Sequence, residues 1–171
     1  MKNSSGYMLI TLLVLAILSC SNFQPEQKET TRYYLVRHAE KAVDGTDDPD
    51  LSPAGQARAR KLLTMLKPHQ IDRLYATPYK RTQQTLQPLA DKHHLQINIY
   101  DHQDSASITR MIAECKGKTC VIAGHSNTIP QLANTLIGQE LYKELDESEY
   151  SRMWEILFTG DKVTRHEVIT Y

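Results

Sequence analysis

Two histidines and two arginines follow short apolar segments that the sequence predicts to be strands. A neutral imidazole is a competent nucleophile when a hydrogen bond holds its second nitrogen. A guanidinium group binds the oxygens of a phosphoryl group in a bidentate manner. Together these residue types indicate chemistry on an anion. The four residues are Arg37, His38, Arg81 and His125.

The elements that must position them alternate between strand and helix along most of the chain. Apolar residues recur at helical spacing after each predicted strand except the last two, which favour an antiparallel hairpin. This order predicts a three-layer α/β sandwich with a mostly parallel central sheet. The predicted strands are residues 33–37, 73–76, 95–100, 120–123, 153–158 and 163–169; the predicted helices begin at residues 52–53, at 77–78, near 105 and near 129.

The carboxyl ends of the strands should bring the polar residues together. In an open α/β sheet, ligands bind in the crevice outside these ends. The side chains expected there beside the first four are Thr77, Asp101, His102, Ser126, Asn127 and Thr128. Arg81 would stand in the first turn of a helix, where the dipole and free N–H groups also attract an anion.

Composition limits the partners. The chain has 171 residues, enough for one domain, and 20 basic against 20 acidic side chains, so no overall basic field favours nucleic acid. The sequence has no Walker glycine loop and no acidic metal cage. We therefore expect a small phosphorylated substrate, and no metal or organic cofactor.

The N-terminal residues resemble a bacterial lipoprotein signal. Residues 8–18 are an uncharged apolar run of eleven, too short for a membrane span of about 20 residues. Ser19-Cys20 follows, which predicts a signal peptide at 1–19, a lipidated Cys20 with a polar tether at 20–31, and a domain at 32–171. The alternatives are an ordinary cleaved signal or an uncleaved anchor. Lipidation would place the domain outside the cytoplasm, facing the periplasm and held to the membrane only by lipid.

Two further cysteines stand close together in the sequence. Cys115 and Cys120 are separated by four residues that include a glycine. In an exported chain they could form a disulfide across a short loop, or remain as two small buried thiols. Their Cα separation decides between these alternatives, and the sequence does not specify it.

Four segments in the same order resemble the signature of the histidine phosphatase superfamily, which has the phosphoglycerate mutase-like fold. They are LVRHAEK, LSPAGQARA, YATPYKRTQQT and VIAGHSNT. The similarity covers about residues 32–171, and the short length with RHAEK resembles the small phosphatase branch. Four ordered segments are a far more specific signal than a single Arg-His-Ala motif.

The resemblance implies roles for these residues. His38 would be the nucleophile that becomes a phosphohistidine, and Arg37, Arg81 and His125 would bind the phosphoryl oxygens. Thr77, Ser126 and Asn127 would add hydrogen bonds to the substrate. A carboxylate after the third strand would be the general acid; Asp101 follows that strand most closely, although it could instead cap the next helix, as could Asp104.

The resemblance therefore implies a phosphomonoesterase that acts through a phosphohistidine. Two alternatives remain open. A phosphoglycerate-type mutase would return the phosphoryl group to a substrate rather than to water. A non-catalytic envelope lipoprotein would only bind an anion on the same fold.

Overall fold

The computed structural model describes residues 29–171. The predicted signal peptide, Cys20 and most of the tether lie outside the described residues. Within the described part of the chain, no helix is both long and apolar enough to cross a membrane.

A six-stranded sheet in the order β3-β2-β4-β1-β5-β6 forms the centre of the domain. The first four strands in sequence run parallel to one another, and β5 and β6 add an antiparallel edge beside β1. This confirms the predicted α/β class and the terminal hairpin. The strands are β1 (Thr30–Arg37), β2 (Arg73–Ala76), β3 (Ile97–Ile99), β4 (Thr119–Gly124), β5 (Arg152–Thr159) and β6 (Lys162–Thr170).

Four helices connect the strands, and their ends follow local sequence signals. The first begins after Ser52, whose hydroxyl accepts the Gly55 N–H, and has proline at its first position. The last ends at Gly138, whose φ of 69° suits glycine. The helices are α1 (Pro53–Leu66), α2 (Lys80–His93), α3 (Ser105–Glu114) and α4 (Thr128–Ile137).

Helix α2 begins later than the sequence predicts. Residues 77–78 were expected to open it, but the helix starts at Lys80 after Tyr79 in an extended conformation. The residue before a proline is disfavoured in the helical region, which keeps Thr77 out of the helix. The Asp48 carboxylate accepts the Lys80 N–H and supplies the cap that Tyr79 lacks.

The helices cover both faces of the sheet, as a three-layer sandwich requires. Successive residues of β1 point to opposite faces. Tyr33 and Leu35 pack in a cluster with residues of α3 and α4, while Tyr34 and Val36 pack in a second cluster with residues of α1 and α2. Strand β1 is therefore covered on both faces, and its carboxyl end is held rigidly.

A disulfide joins Cys115 at the end of α3 to Cys120 at the start of β4. Their Cα atoms are 6.0 Å apart and both residues are fully buried. Of the two alternatives that the sequence leaves open, the structure has the paired one.

Gly55 allows α1 to approach the segment that follows β1. A Cβ atom built on Gly55 would lie 2.1 Å from the Glu40 carbonyl oxygen, which is far inside contact distance. The Glu40 carboxylate also accepts hydrogen bonds of 2.7 to 2.9 Å from the Arg58 guanidinium. The LSPAGQARA segment therefore supports the residues that immediately follow His38.

Candidate active site

His38 is buried at the carboxyl end of β1, with 5% of its surface exposed. Its Nδ1 lies 2.8 Å from the Ala39 carbonyl oxygen. Since a carbonyl can only accept a hydrogen bond, Nδ1 carries the proton and the lone pair is on Nε2. Burial lowers the pKa of His38 to about 4, and the charges of Arg37, Arg81 and Lys41 act in the same direction. His38 is therefore a neutral imidazole with an available Nε2 at neutral pH.

His125 lies beside it at the end of β4, with the two ring centroids 5.4 Å apart. Burial lowers the pKa of His125 to about 3, and the nearby charges of His38 and Arg81 contribute. Its Nε2 is 3.0 Å from the Thr77 hydroxyl. The Thr82 hydroxyl donates to backbone carbonyls and lies 3.0 Å from the Thr77 hydroxyl, so the Thr77 proton has two acceptors within reach, Thr82 Oγ1 and His125 Nε2.

Arg37 extends from the end of β1 and is 2% exposed. Its Nη1 donates to the Asp146 and Glu149 carbonyls at 2.8 and 3.0 Å. Its Nη2 faces the Glu147 carboxylate at 3.1 Å, and the buried Nε has no hydrogen-bond partner among residues 29–171. Nη1 of the guanidinium therefore holds the 146–149 segment. The opposite edge, formed by Nε and Nη2, is left for the site, and the Glu147 carboxylate lies against its Nη2 end.

Arg81 is in the first turn of α2, and its side chain is 14% exposed. Its Nη1 is 3.6 Å from an Asp48 carboxylate oxygen. Its buried Nε also lacks a hydrogen-bond partner within the described residues. Each of the two arginines therefore has a buried N–H donor without a partner among the described residues. A site that binds a multiply charged oxyanion needs such donors.

Two tyrosines support the two arginines. The Arg37 Cζ lies 4.1 Å from the centroid of the Tyr150 ring, and the Arg81 Cζ lies 4.4 Å from that of Tyr79. Each ring also approaches a histidine: Tyr150 lies 6.0 Å from His38 by ring centroids, and Tyr79 lies 5.1 Å from His125. Cation–π stacking fixes both guanidinium planes without using their N–H donors.

The remaining predicted residues differ in their burial and in their hydrogen-bond partners. Ser126 is buried beside His125, with its hydroxyl 3.5 Å from Glu147. Asn127 is exposed, and its side chain accepts the Thr128 N–H at the start of α4. Asp101 is exposed, and its carboxylate accepts the Gln103 N–H at 2.8 Å. Asp104 caps α3 through the Ala106 N–H, which is the alternative that the sequence leaves open for these carboxylates.

Four side chains at the site have no role assigned from the sequence. The His102 ring lies 5.4 Å from that of His125, between two exposed residues. Glu147 belongs to the acidic segment at residues 144–149, and its carboxylate lies 3.1 Å from Nη2 of Arg37. Tyr79 and Tyr150 carry no chemical motif, although both stand within two residues of an element boundary. No sequence signal distinguishes His102 from its neighbours.

The side chains of residues 29–171 were also compared with the arrangements that hold metal ions. Among residues 29–171, no group of three or more His, Cys, Asp and Glu side chains is arranged to hold a metal ion. The positive charge at the site comes from the guanidinium groups of Arg37 and Arg81.

Comparison with known proteins finds similarity to one protein family and to several solved structures. The family model described as the histidine phosphatase superfamily (branch 1) matches residues 33–103. This match includes Arg37, His38 and Arg81 and ends before His125. No curated protein matches the chain significantly.

Solved structures share the fold at low sequence identity. The alpha-ribazole phosphatase from Shigella flexneri has a TM-score of 0.64 and 18% identity over 82% of this chain and 96% of that chain. The protein histidine phosphatase SixA complexed with tungstate has a TM-score of 0.64 and 18% identity, over 81% of this chain and 96% of that chain. A mycobacterial glucosyl-3-phosphoglycerate phosphatase has a TM-score of 0.63 and 13% identity, over 83% and 98%.

Proposed function

We propose that this chain, whose residues 33–103 match the histidine phosphatase superfamily, is a phosphomonoesterase that acts through a phosphohistidine on His38. The observation that carries the proposal is the state of His38. It is buried and neutral, its Nδ1 proton is held by the Ala39 carbonyl, and Nε2 is available beside Arg37, Arg81 and His125.

In the first step, His38 Nε2 attacks phosphorus in line as the ester P–O bond breaks. Its lone pair forms the new N–P bond, and the electrons of the broken bond leave with the ester oxygen. The two guanidinium groups and His125 stabilise the charge on the equatorial oxygens, and one such donor is typically worth about 3 kcal/mol. Water then hydrolyses the phosphohistidine and releases phosphate.

The structural neighbours support a phosphatase without narrowing the substrate. Their names refer to alpha-ribazole phosphate, a glucosyl phosphoglycerate and protein phosphohistidine. For this chain we propose a small phosphomonoester, a sugar phosphate or an envelope glycolipid phosphate, because the N-terminal segment predicts a site outside the cytoplasm.

The test is hydrolysis of p-nitrophenyl phosphate by the full-length protein beside His38→Ala. We expect phosphate release from the first protein and none above background from the second. His166→Ala, which removes an exposed histidine of β6, is the matched control and should keep its activity. Equal release by the protein and His38→Ala would refute the role of His38. No release by either would favour an anion-binding lipoprotein.

Export and lipidation are a separate proposal. We expect the full-length chain to incorporate labelled palmitate in a bacterial host, and Cys20→Ser to incorporate none. A chain that stays unlabelled and soluble in the cytoplasmic fraction would contradict this part alone, and would leave the reaction at His38 untouched.

A further inference from the structure

A third histidine lies against the candidate site, and its possible role rests on the proposed phosphatase reaction. His102 is in the loop between β3 and α3, half-buried, while Asp101, Gln103 and Asp104 around it are exposed. Its ring centroid lies 5.4 Å from that of His125, and His125 lies 5.4 Å from His38. His125 therefore lies against both the nucleophile and His102.

The carboxylates of this loop are engaged elsewhere. Asp101 accepts the Gln103 N–H and Asp104 accepts the Ala106 N–H, so both close local turns of the backbone. His102 instead has a buried Nδ1 without a hydrogen-bond partner among the described residues. Its ring is positioned by stacking, at 5.4 Å from His125 and 6.5 Å from Tyr79. Of the titratable side chains in this loop, His102 is the one whose ring contacts His125, while Asp101 lines the adjoining pocket.

The space beside His102 suits a leaving group. A pocket of about 250 Å³ is lined by Tyr79, Tyr100, Asp101, His102 and Gln103, among others. In-line displacement requires the leaving oxygen to lie on the opposite side of phosphorus from the nucleophile. With the phosphoryl group bound beside His125, an ester group that extends past His102 would enter this pocket.

We propose that His102 is the general acid of the reaction and that the adjoining pocket binds the leaving group. As His38 Nε2 bonds to phosphorus, the electron pair of the breaking P–O bond goes to the leaving oxygen, which takes a proton from the His102 imidazolium. Neutral His102 then accepts a proton from the water that attacks the phosphohistidine. The electrons of the P–N bond return to His38. An imidazole suits this exchange because it is a proton donor in one step and a proton acceptor in the other.

The leaving group provides the test. Phenolate needs protonation far more than p-nitrophenolate does, so a missing acid should affect phenyl phosphate selectively. We expect His102→Gln in the full-length protein to lower kcat/KM for phenyl phosphate about 100-fold or more, the typical contribution of a general acid, and for p-nitrophenyl phosphate only a few-fold. Retained p-nitrophenyl phosphate turnover shows that the variant is folded. His166→Gln, the same change on β6, should alter neither.

Two further measurements keep the outcome decisive. Added imidazole should restore phenyl phosphate turnover to His102→Ala, because it replaces the missing proton donor. Equal losses on both esters in His102→Gln would mean a structural role and overturn the proposal. A selective loss in Asp101→Asn instead would also overturn it and return the role to Asp101. If the proposed phosphatase function itself is wrong, the unmodified protein will release no p-nitrophenol. That result is distinct from a wrong role for His102, which appears only in the variants.

Discussion

The Glu147 carboxylate lies 3.1 Å from Nη2 of Arg37, on the edge of the guanidinium that faces the candidate site. Arg37 is buried, whereas the side chain of Glu147 is 82% exposed. An exposed carboxylate thus occupies an N–H donor of the guanidinium that we expect to bind a phosphoryl oxygen. Substrate must displace it, because both groups need the same N–H donors.

Replacing Glu147 with glutamine should therefore tighten substrate binding. An ion pair this exposed is worth about 0.2–1 kcal/mol, so we expect KM for p-nitrophenyl phosphate to fall by up to about 5-fold, with kcat nearly unchanged. Steady-state kinetics measure both constants. Glu144→Gln, at an exposed position of the same segment, is the matched control and should have the KM of the unmodified protein. An increase of KM in Glu147→Gln would mean that this carboxylate assists binding.

The pKa of His38 predicts activity that persists into acid. Because burial lowers this pKa from 6.5 to about 4, the free enzyme keeps its nucleophile neutral until the pH falls below about 4. We expect kcat/KM, corrected for substrate ionisation, to show no decrease centred at pH 6.5 that is attributable to His38. A nucleophile titrating near 6.5 in an NMR measurement of the free protein would refute this.

The same shift makes stability depend on pH. The unfolded chain binds a proton at His38 near pH 6.5 and the folded chain only near pH 4, so the contribution is present above 6.5 and is lost as the pH falls to 4. The loss amounts to about 3 kcal/mol of unfolding free energy at most. Urea unfolding at pH 7 and pH 4.5 should show a smaller difference for His38→Gln than for the unmodified protein.

The two arginines should differ in what their removal costs. Arg37 holds the carbonyls of Asp146 and Glu149, whereas Arg81 contacts only Asp48 and Tyr79 among the interactions found for its guanidinium. We expect both alanine variants to lose activity about 100- to 1000-fold. Arg37→Ala should also lose about 2–4 kcal/mol of stability, since two hydrogen bonds from a charged, buried guanidinium to the 146–149 segment would be lost. Thermal or urea unfolding separates the two; equal stability would contradict the anchoring role of Arg37.

Gly55 takes no part in the proposed reaction, but it packs against the segment that follows His38. A methyl group there would collide with the Glu40 carbonyl, two residues beyond His38. Gly55→Ala should therefore lose about 1–3 kcal/mol of stability, the typical range for overpacking, and part of its activity. Ala54→Ser, at the exposed neighbouring position, should lose neither. Unchanged unfolding of Gly55→Ala would mean that α1 can shift away without cost.

The sequence predicts most of the frame but only part of the site. Apolar periodicity and the Ser52-Pro53 signal locate α1 to the residue, and the order of motifs brings Arg37, His38, Arg81 and His125 to one edge of the sheet. Arg37, His38 and His125 lie at or directly after strand ends, and Arg81 lies in the first turn of the helix after β2, so the topology positions all four.

The side chains to which the sequence assigns no role depend on the geometry of a turn and on contacts between distant segments. Whether Asp101 or His102 faces the site depends on where the three-residue strand β3 ends and on the turn that the next residues form. One residue of difference in that turn reverses the inward and outward positions. Glu147 reaches Arg37 only because a chain segment distant in sequence returns over the end of β1, and local patterns contain no information about that return.

The disulfide links the far ends of the two elements that lead to His102 and His125. It joins helix α3, which is about 15 Å long and starts three residues beyond His102, to strand β4, which ends just before His125, about 17 Å from Cys120. A chain that matures among reduced thiols would lack this covalent link. If the link helps to set the spacing of the two imidazoles, the ratio of phenyl to p-nitrophenyl phosphate turnover should change when the protein is reduced.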